Sequence, residues 1–199
     1  MAPLNDEQLH LIRDERREQI LLAALRVFAA RGIVGTKMSM IASEAGISHG
    51  LLYHYFKSKD ELFTTLVEGA MAAADDEMRR VADLPGSPIE KIKGLTQAIL
   101  DESGSPFFML IHQARISDGV PEKVNQLLED YSMKTFVEQL LPIFLEGQKT
   151  GEIAADNPEE LIASYLTVLT SLMVVNTHGD EGYLIPSVDI LLRMVACPK

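Results

Sequence analysis

The chain has 199 residues, 47% hydrophobic and 24% charged, a balance that suits one large or two small folded domains and excludes wholesale disorder. Its single cysteine, Cys197, excludes a disulfide framework and a cysteine-rich zinc site, and the polar, acidic start Met1–His10 lacks the layout of a signal peptide. The net charge of −11 argues at first against a nucleic-acid partner, but residues 1–60 carry +1 and residues 61–199 carry −12, so the acid sits where it would repel phosphates and aim the N-terminal part at them.

In chain order the predicted elements are all helices, at about 7–31, 37–45, 49–55, 59–82, 88–102, 106–117, 121–149, 158–178 and 186–195. Ile20, Ala24, Val27 and Phe28 share one face of the first, and Gly32 reads as its stop. Gly46 and Gly151 read as further stops. Ser58–Glu61 and Ser87–Glu90 are capping boxes, the second with Pro88 at the first helical position. Ser105-Pro106 and Asn157-Pro158 repeat the cap-then-proline pattern, and Pro121 opens the seventh helix. Pro142 falls inside that helix and is expected to kink it. No segment alternates with period two between hairpin turns, so the expected fold class is all-α. The longest nearly apolar stretch, Tyr165–Val175, is short for a membrane span, which leads to the expectation of a soluble cytoplasmic protein without a membrane partner.

The chemistry concentrates in residues 36–59. Thr36 is expected to cap a short helix that turns Met38, Ile41 and Ala42 inward. Gly46 supplies a left-handed turn, Ile47 plugs the core beneath it, and Ser48 caps a second short helix. That helix buries Leu52 and Phe56 and turns His49, Gly50, Tyr53 and His54 outward. Two short helices joined by so tight a turn form a helix-turn-helix, here at 37–56, whose second helix fits the major groove of duplex DNA.

At this point the chain resembles the TetR family of transcriptional regulators. The likeness runs through residues 14–74, by way of Ile20-Leu21-x-Ala23-Ala24, Phe28 with Gly32, Ile41-Ala42, Ala45-Gly46-Ile47-Ser48 and Leu52-Tyr53-x-Tyr55-Phe56-x-Ser58-Lys59. The resemblance implies that Ser48, His49, Gly50, Leu51 and Tyr53 approach bases or the adjacent backbone, and that Thr36, Tyr55 and Lys59 hold phosphates. The helical phase of His54 points the same way as Tyr53, and Lys57 is either an ordinary solvated lysine or part of the same face. The expected layout is a DNA-binding domain over 14–74 and a ligand-binding and dimerisation domain over 75–199. The expected partners are palindromic double-stranded DNA, a small-molecule effector and a second copy of the chain.

The remaining candidates are softer by nature. Met71, Phe107, Phe108, Ile111, His112, Arg115, Phe136, Tyr165 and Asn176 are candidate pocket residues, apolar walls with a few polar handles. His112 also reads as a satisfied core histidine, and Arg115 as one half of an interhelical ion pair. Leu161, Tyr165, Val168 and Leu172, with Val188 and Leu192, form apolar stripes that read as a dimer face or as monomer core. The five histidines have no metal spacing, and no phosphate loop, nucleophile motif or paired-carboxylate motif occurs, so no metal, cofactor or catalytic residue is expected. The rival reading is a helical protein-interaction scaffold.

Overall fold

The computed structural model describes residues 6–101, 104–176 and 185–198, with side chains from Arg13 onward and without that of Asn176. Among the described residues the regular elements are helices: α1 Asp6–Gly35, α2 Met38–Glu44, α3 His49–Tyr55, α4 Lys59–Asp83, α5 Pro88–Ile99, α6 Ser105–Ile116, α7 Glu122–Asp130, α8 Met133–Thr150, α9 Pro158–Asn176 and α10 Val188–Leu192. One isolated antiparallel bridge, Ile153 to Ala196, is added to them. The expected all-α class holds. The predicted helix ends at 102 and 178, and His178, lie outside the described residues.

Most of the stop and start signals act as their chemistry demands. Gly32, Gly46 and Gly151 take φ of 63°, 63° and 75°. Ser87 N donates to Glu90 Oε2 at 2.8 Å, and Asn157 Oδ1 accepts from the amides of Glu159 and Glu160 at 3.0 and 3.2 Å. At α4 only half of the box forms as expected. Ser58 Oγ accepts from Glu61 N at 3.0 Å, but the Glu61 carboxylate reaches the amide of Lys57, at 2.7 Å, rather than that of Ser58.

Two elements differ from expectation. The predicted helix 121–149 is two helices, α7 and α8, parted at Tyr131 and Ser132. Ser132 takes the extended conformation of an N-cap (φ −74°, ψ 165°), its hydroxyl pairs with that of Thr135, and Thr135 Oγ1 also donates to Asp130 O, so the break is satisfied locally. Pro142 stays inside α8, solvent-exposed, and the interruption falls ten residues before it. The last helix is one short turn and a half, after which the chain leaves helix to bond along 152–154, with Ala154 N to Val195 O and Cys197 N to Glu152 O both at 2.9 Å.

The described residues of Met1–Glu68 together with Leu110–Asn125 form one compact unit, and Gly69–Met109 with Gln126–Lys199 form a second. The first unit is built on Ile20, Ala24, Phe28, Ile33, Ile41, Leu52, Phe56, Leu62 and Phe63, all essentially without exposure. Phe28 and Phe63 meet edge to face with centroids 4.9 Å apart. Leu110–Asn125, expected in the C-terminal domain, belongs to this unit. A Cβ at Gly32 would stand 2.9 Å from Gln113 Oε1, the movable end of a flexible side chain, so it is the positive φ that favours glycine there. Lys123 pairs with Glu68 in the same unit.

The second unit is cored by Val81, Ile92, Leu95, Ile99, Leu140, Phe144, Ile162, Tyr165, Leu169, Met173 and Val195. The window Pro158–Val175 of α9 has a mean hydropathy of 1.3 and, contrary to the expectation from its central stretch alone, is long and apolar enough to cross a bilayer. Packing shows its use here: α9 contributes Ile162, Tyr165, Leu166, Leu169, Leu172 and Met173 to the core and begins with Glu159 and Glu160.

Candidate nucleic-acid interface

The interface is built around the end of α2. Ala45 closes the helix with its amide on Ile41 O at 2.9 Å. Gly46 N then donates to Ser43 O at 3.1 Å and Ile47 N to Ala42 O at 3.0 Å, the paired bonds of a Schellman motif around a left-handed glycine. Gln19 of α1 donates from Nε2 to Ala45 O at 2.9 Å, which ties the turn to the first helix. Ser48 Oγ accepts from Leu51 N at 3.2 Å and starts α3. The chain thus leaves α2, turns and restarts with its polar backbone groups assigned.

On α3 the side chains divide by helical phase. Leu52 and, just past the helix, Phe56 are buried; the Arg17 guanidinium lies 5.3 Å from the centre of the Phe56 ring. His49, Gly50, Leu51, Tyr53 and His54 are exposed, and Tyr55 is half-buried. His49 and Tyr53, one turn apart, meet edge to face at 4.9 Å, which limits the rotamers of the outward pair. A Cβ at Gly50 would have no atom of the described residues within 4 Å, so its bareness leaves the backbone of this face open to a close approach from outside. Lys57 is exposed beside this face.

Thr36 and Lys59 are placed differently from expectation. The N-cap of α2 is Lys37, not Thr36. Thr36 is buried, and its hydroxyl donates back to Gly32 O at 2.7 Å. Lys59 turns its ammonium onto Ile33 O at 2.7 Å and Thr36 O at 3.1 Å. Gly32 O thus takes the Thr36 hydroxyl, and Ile33 O, which also accepts from the Thr36 amide at 3.4 Å, takes the Lys59 ammonium where α1 breaks at Gly32. Both side chains are committed within the chain itself. The exposed cation that sequence reasoning passed over is Lys37, which stands directly at the start of α2; its place before the first inward residue, Met38, was the available signal. An open cleft of 440 Å³ between α1 and α2 is lined by Val27, Arg31, Ser39, Met40, Ser43 and Glu44.

The candidate pocket residues do not gather in one unit. Ile111, His112 and Arg115 belong to the first, and Met71, Phe107, Phe108, Phe136 and Tyr165 to the second. Phe107 is exposed, whereas Met71 and Tyr165 are buried. The Tyr165 hydroxyl is bonded to Thr96 Oγ1 at 2.7 Å. Thr96 spends its one proton on Ile92 O at 2.6 Å, so Tyr165 is the donor. The Asn176 side chain lies outside the described residues.

The candidate dimer stripe is likewise mostly internal. Tyr165, Leu172 and Leu192 are buried in the second unit's own core, and Leu161, Val168 and Val188 pack against it half-buried. The outward face of α9 lies beside this stripe and opposite Ile162, Leu166, Leu169 and Met173, with Glu160, Ser164, Thr167, Ser171 and Val175 exposed. Ile190 and Met194 are exposed nearby in sequence at the end of the chain.

Known proteins share this arrangement. Residues 20–66 match the family described as bacterial regulatory proteins, tetR family. The HTH-type transcriptional repressor KstR2 of Mycolicibacterium smegmatis is 36% identical over 83 residues, covering 42% of this chain and 40% of its own. The uncharacterized HTH-type transcriptional regulator YerO of Bacillus subtilis is 35% identical over 194 residues, covering 90% of this chain and 65% of its own. The match thus spans about two fifths of the first of these relatives and just under two thirds of the second. The solved structure of the ketosteroid transcriptional regulator KstR2 of Mycobacterium tuberculosis superposes with a TM-score of 0.71 at 23% identity, over 91% of this chain and 95% of that one, which shows a common fold. The matched stretch begins on α1 at Ile20, buried, and ends on α4 at Leu66, so that it frames the turn around Gly46, and over this segment the chain is similar to the TetR family of bacterial regulatory proteins.

Proposed function

We propose that the chain is a sequence-specific DNA-binding transcriptional regulator: a homodimeric, cytoplasmic repressor that leaves a palindromic operator when a small molecule binds its C-terminal domain. The observation that carries the reading is the outward face of α3, with His49, Gly50, Leu51, Tyr53 and His54 exposed on a helix that its own cap, turn and core hold in place. Such a face fits the major groove. The roles divide accordingly. His49, Leu51, Tyr53 and His54 meet base edges, and Gly50 admits the backbone. Ser48, Tyr55, Lys57 and Lys37 meet phosphates, as do the amides that open α4. Thr36 and Lys59 position this surface from behind rather than touch DNA with their side chains.

A single short helix covers too few base pairs to be selective, so the reading requires two copies related by a two-fold axis. The outward face of α9, with small polar Ser164, Thr167 and Ser171 and the apolar Val175, suits close helix packing, and exposed Ile190 and Met194 extend the apolar area. The domain assignment proposed is reading head over 14–74 and effector and dimer domain over 75–199, with Leu110–Asn125 packed into the head unit. Selection of bound DNA from a random pool, combined with sedimentation of the free chain, tests this. The expected result is an enriched inverted repeat and a dimer at micromolar concentration. Failure to enrich any sequence would refute DNA readout, and a stable monomer would refute the two-fold.

A further inference from the structure

In the second unit the apolar packing is interrupted at one place where α4 meets α8. Asp75 is only 8% exposed. Its Oδ1 accepts from Gln139 Nε2 at 2.6 Å, and its Oδ2 pairs with Arg79 Nη2 at 2.9 Å, one turn along α4. A carboxylate only accepts, so the amide of Gln139 must turn its NH2 to Asp75 and its oxygen away. That oxygen is buried and has no hydrogen-bond partner among the described residues. An unmatched buried acceptor is a standing cost to the fold, and a site that keeps one calls for a donor from elsewhere.

We propose that Asp75 and Gln139 are the polar anchor of the effector site, and that the effector is a protonated primary or secondary amine on an apolar body. The proposal rests on the reading of the chain as an effector-controlled regulator. An ammonium carries several N–H donors on one compact charge. One N–H satisfies Gln139 Oε1 while another takes Asp75 Oδ2. Arg79 is the natural group to yield, because its side chain is 70% exposed and such an i,i+4 pair contributes little in water. A neutral alcohol supplies one donor without balancing the carboxylate, and an anion is repelled by it. The neighbours fit an apolar tail. Met71 and Met78 flank Asp75 on its side of α4, and Phe136 and Ile143 flank Gln139 on α8. Phe136 is half-buried against the core.

Calorimetry of the full chain with phenethylamine, phenethyl alcohol and hydrocinnamate tests the proposal. The amine is expected to bind saturably, the alcohol about tenfold more weakly and the acid not at all. Asp75→Asn is expected to weaken the amine about tenfold or more and to leave the alcohol nearly unchanged. Gln139→Leu is expected to weaken the amine as well and to reduce the preference for amine over alcohol; because it also takes the donor from Asp75 Oδ1 it melts lower than the parent, so the amine-to-alcohol ratio is the readout that a merely structural pair would not move. It also serves if Asp75→Asn does not fold. No amine binding at millimolar concentration, equal binding of the three probes, or unchanged amine binding in both variants would overturn the proposal. Operator selection on the same preparations separates the two readings: lost amine binding with intact selection refutes only the effector class, whereas failed selection refutes DNA readout.

Discussion

Replacing Lys59 by methionine keeps the aliphatic stem and removes the ammonium that holds Ile33 O and Thr36 O. A hydrogen bond from a charged donor contributes about 1.5–3 kcal/mol, and a second, longer one in a part-buried site adds less because water can replace it, so we expect a loss of about 2 kcal/mol. For 199 residues melting as one unit, an unfolding entropy of about 2.1 cal/mol/K per residue turns this into a fall in melting temperature of about 5 °C. The loosened joint between α1 and α4 lies behind the reading face, so affinity is expected to fall for all DNA sequences alike. The salt dependence is the deciding readout. A lysine that holds a phosphate contributes about 0.9 to the slope of log K against log salt, whereas a lysine that holds carbonyls contributes nothing. Thermal melting and filter binding at several salt concentrations measure both. An unchanged melting temperature together with a slope lower by about one would show that Lys59 is a phosphate ligand, and the positioning argument would fall.

Three further outcomes follow from the geometry. Gly50→Ala has open space around it and should raise helix stability by about 0.5–1 kcal/mol while weakening operator binding; tighter binding on gel shift would contradict the close approach assigned to this position. Gly46→Ala meets no atom but must take φ near 63°, so it should cost about 1–2 kcal/mol through the backbone alone, and a neutral effect on denaturant unfolding would refute the left-handed turn. Burial pushes the Tyr165 hydroxyl above its ordinary range, against the opposing pull of its bond with Thr96. Its folded value exceeds the unfolded one, so its stability contribution is complete below about pH 10 and is lost as pH rises through the folded value. Tyr165→Phe should flatten that alkaline loss and cost about 1 kcal/mol below it, both visible in urea titrations across pH.

The reading head was legible because its determinants are local. Gly46, Ser48, Leu52 and Phe56 lie within eleven residues, and a left-handed turn, a cap and a helical phase each act over one turn of chain. The break between α7 and α8 was equally local but quiet. Ser132 and Thr135 carry it without a glycine or proline, while Pro142, the louder signal, sits on the exposed side of α8. The stripe Leu161, Tyr165, Val168 and Leu172 shows a different limit. Core and subunit interface demand the same 3.6-residue spacing, so periodicity alone cannot say which partner covers it. Here the chain's own core takes Tyr165 and Leu172, while Leu161 and Val168 pack against it half-buried. Leu172→Arg would therefore damage the monomer, and a charge meant to probe assembly belongs at Thr167 on the outward side.

What pattern reasoning passes over is long-range polar pairing. Lys59 meets Ile33 across 26 residues, Asp75 meets Gln139 across 64, and Thr96 meets Tyr165 across 69. Nothing in periodicity marks these residues, since each occupies a place where an apolar residue or an ordinary solvated one would satisfy the pattern. Their physical weight is nevertheless high, because a buried polar group left without its partner costs more than the bond returns when made. Thr96 and Tyr165 close such an account between themselves, and Lys59 closes it for the end of α1. At Asp75 and Gln139 it stays open by one acceptor, Gln139 Oε1. Completed pairs of this kind hold α1 to α4 and α5 to α9, whereas the one that joins α4 to α8 keeps an acceptor without a donor among the described residues.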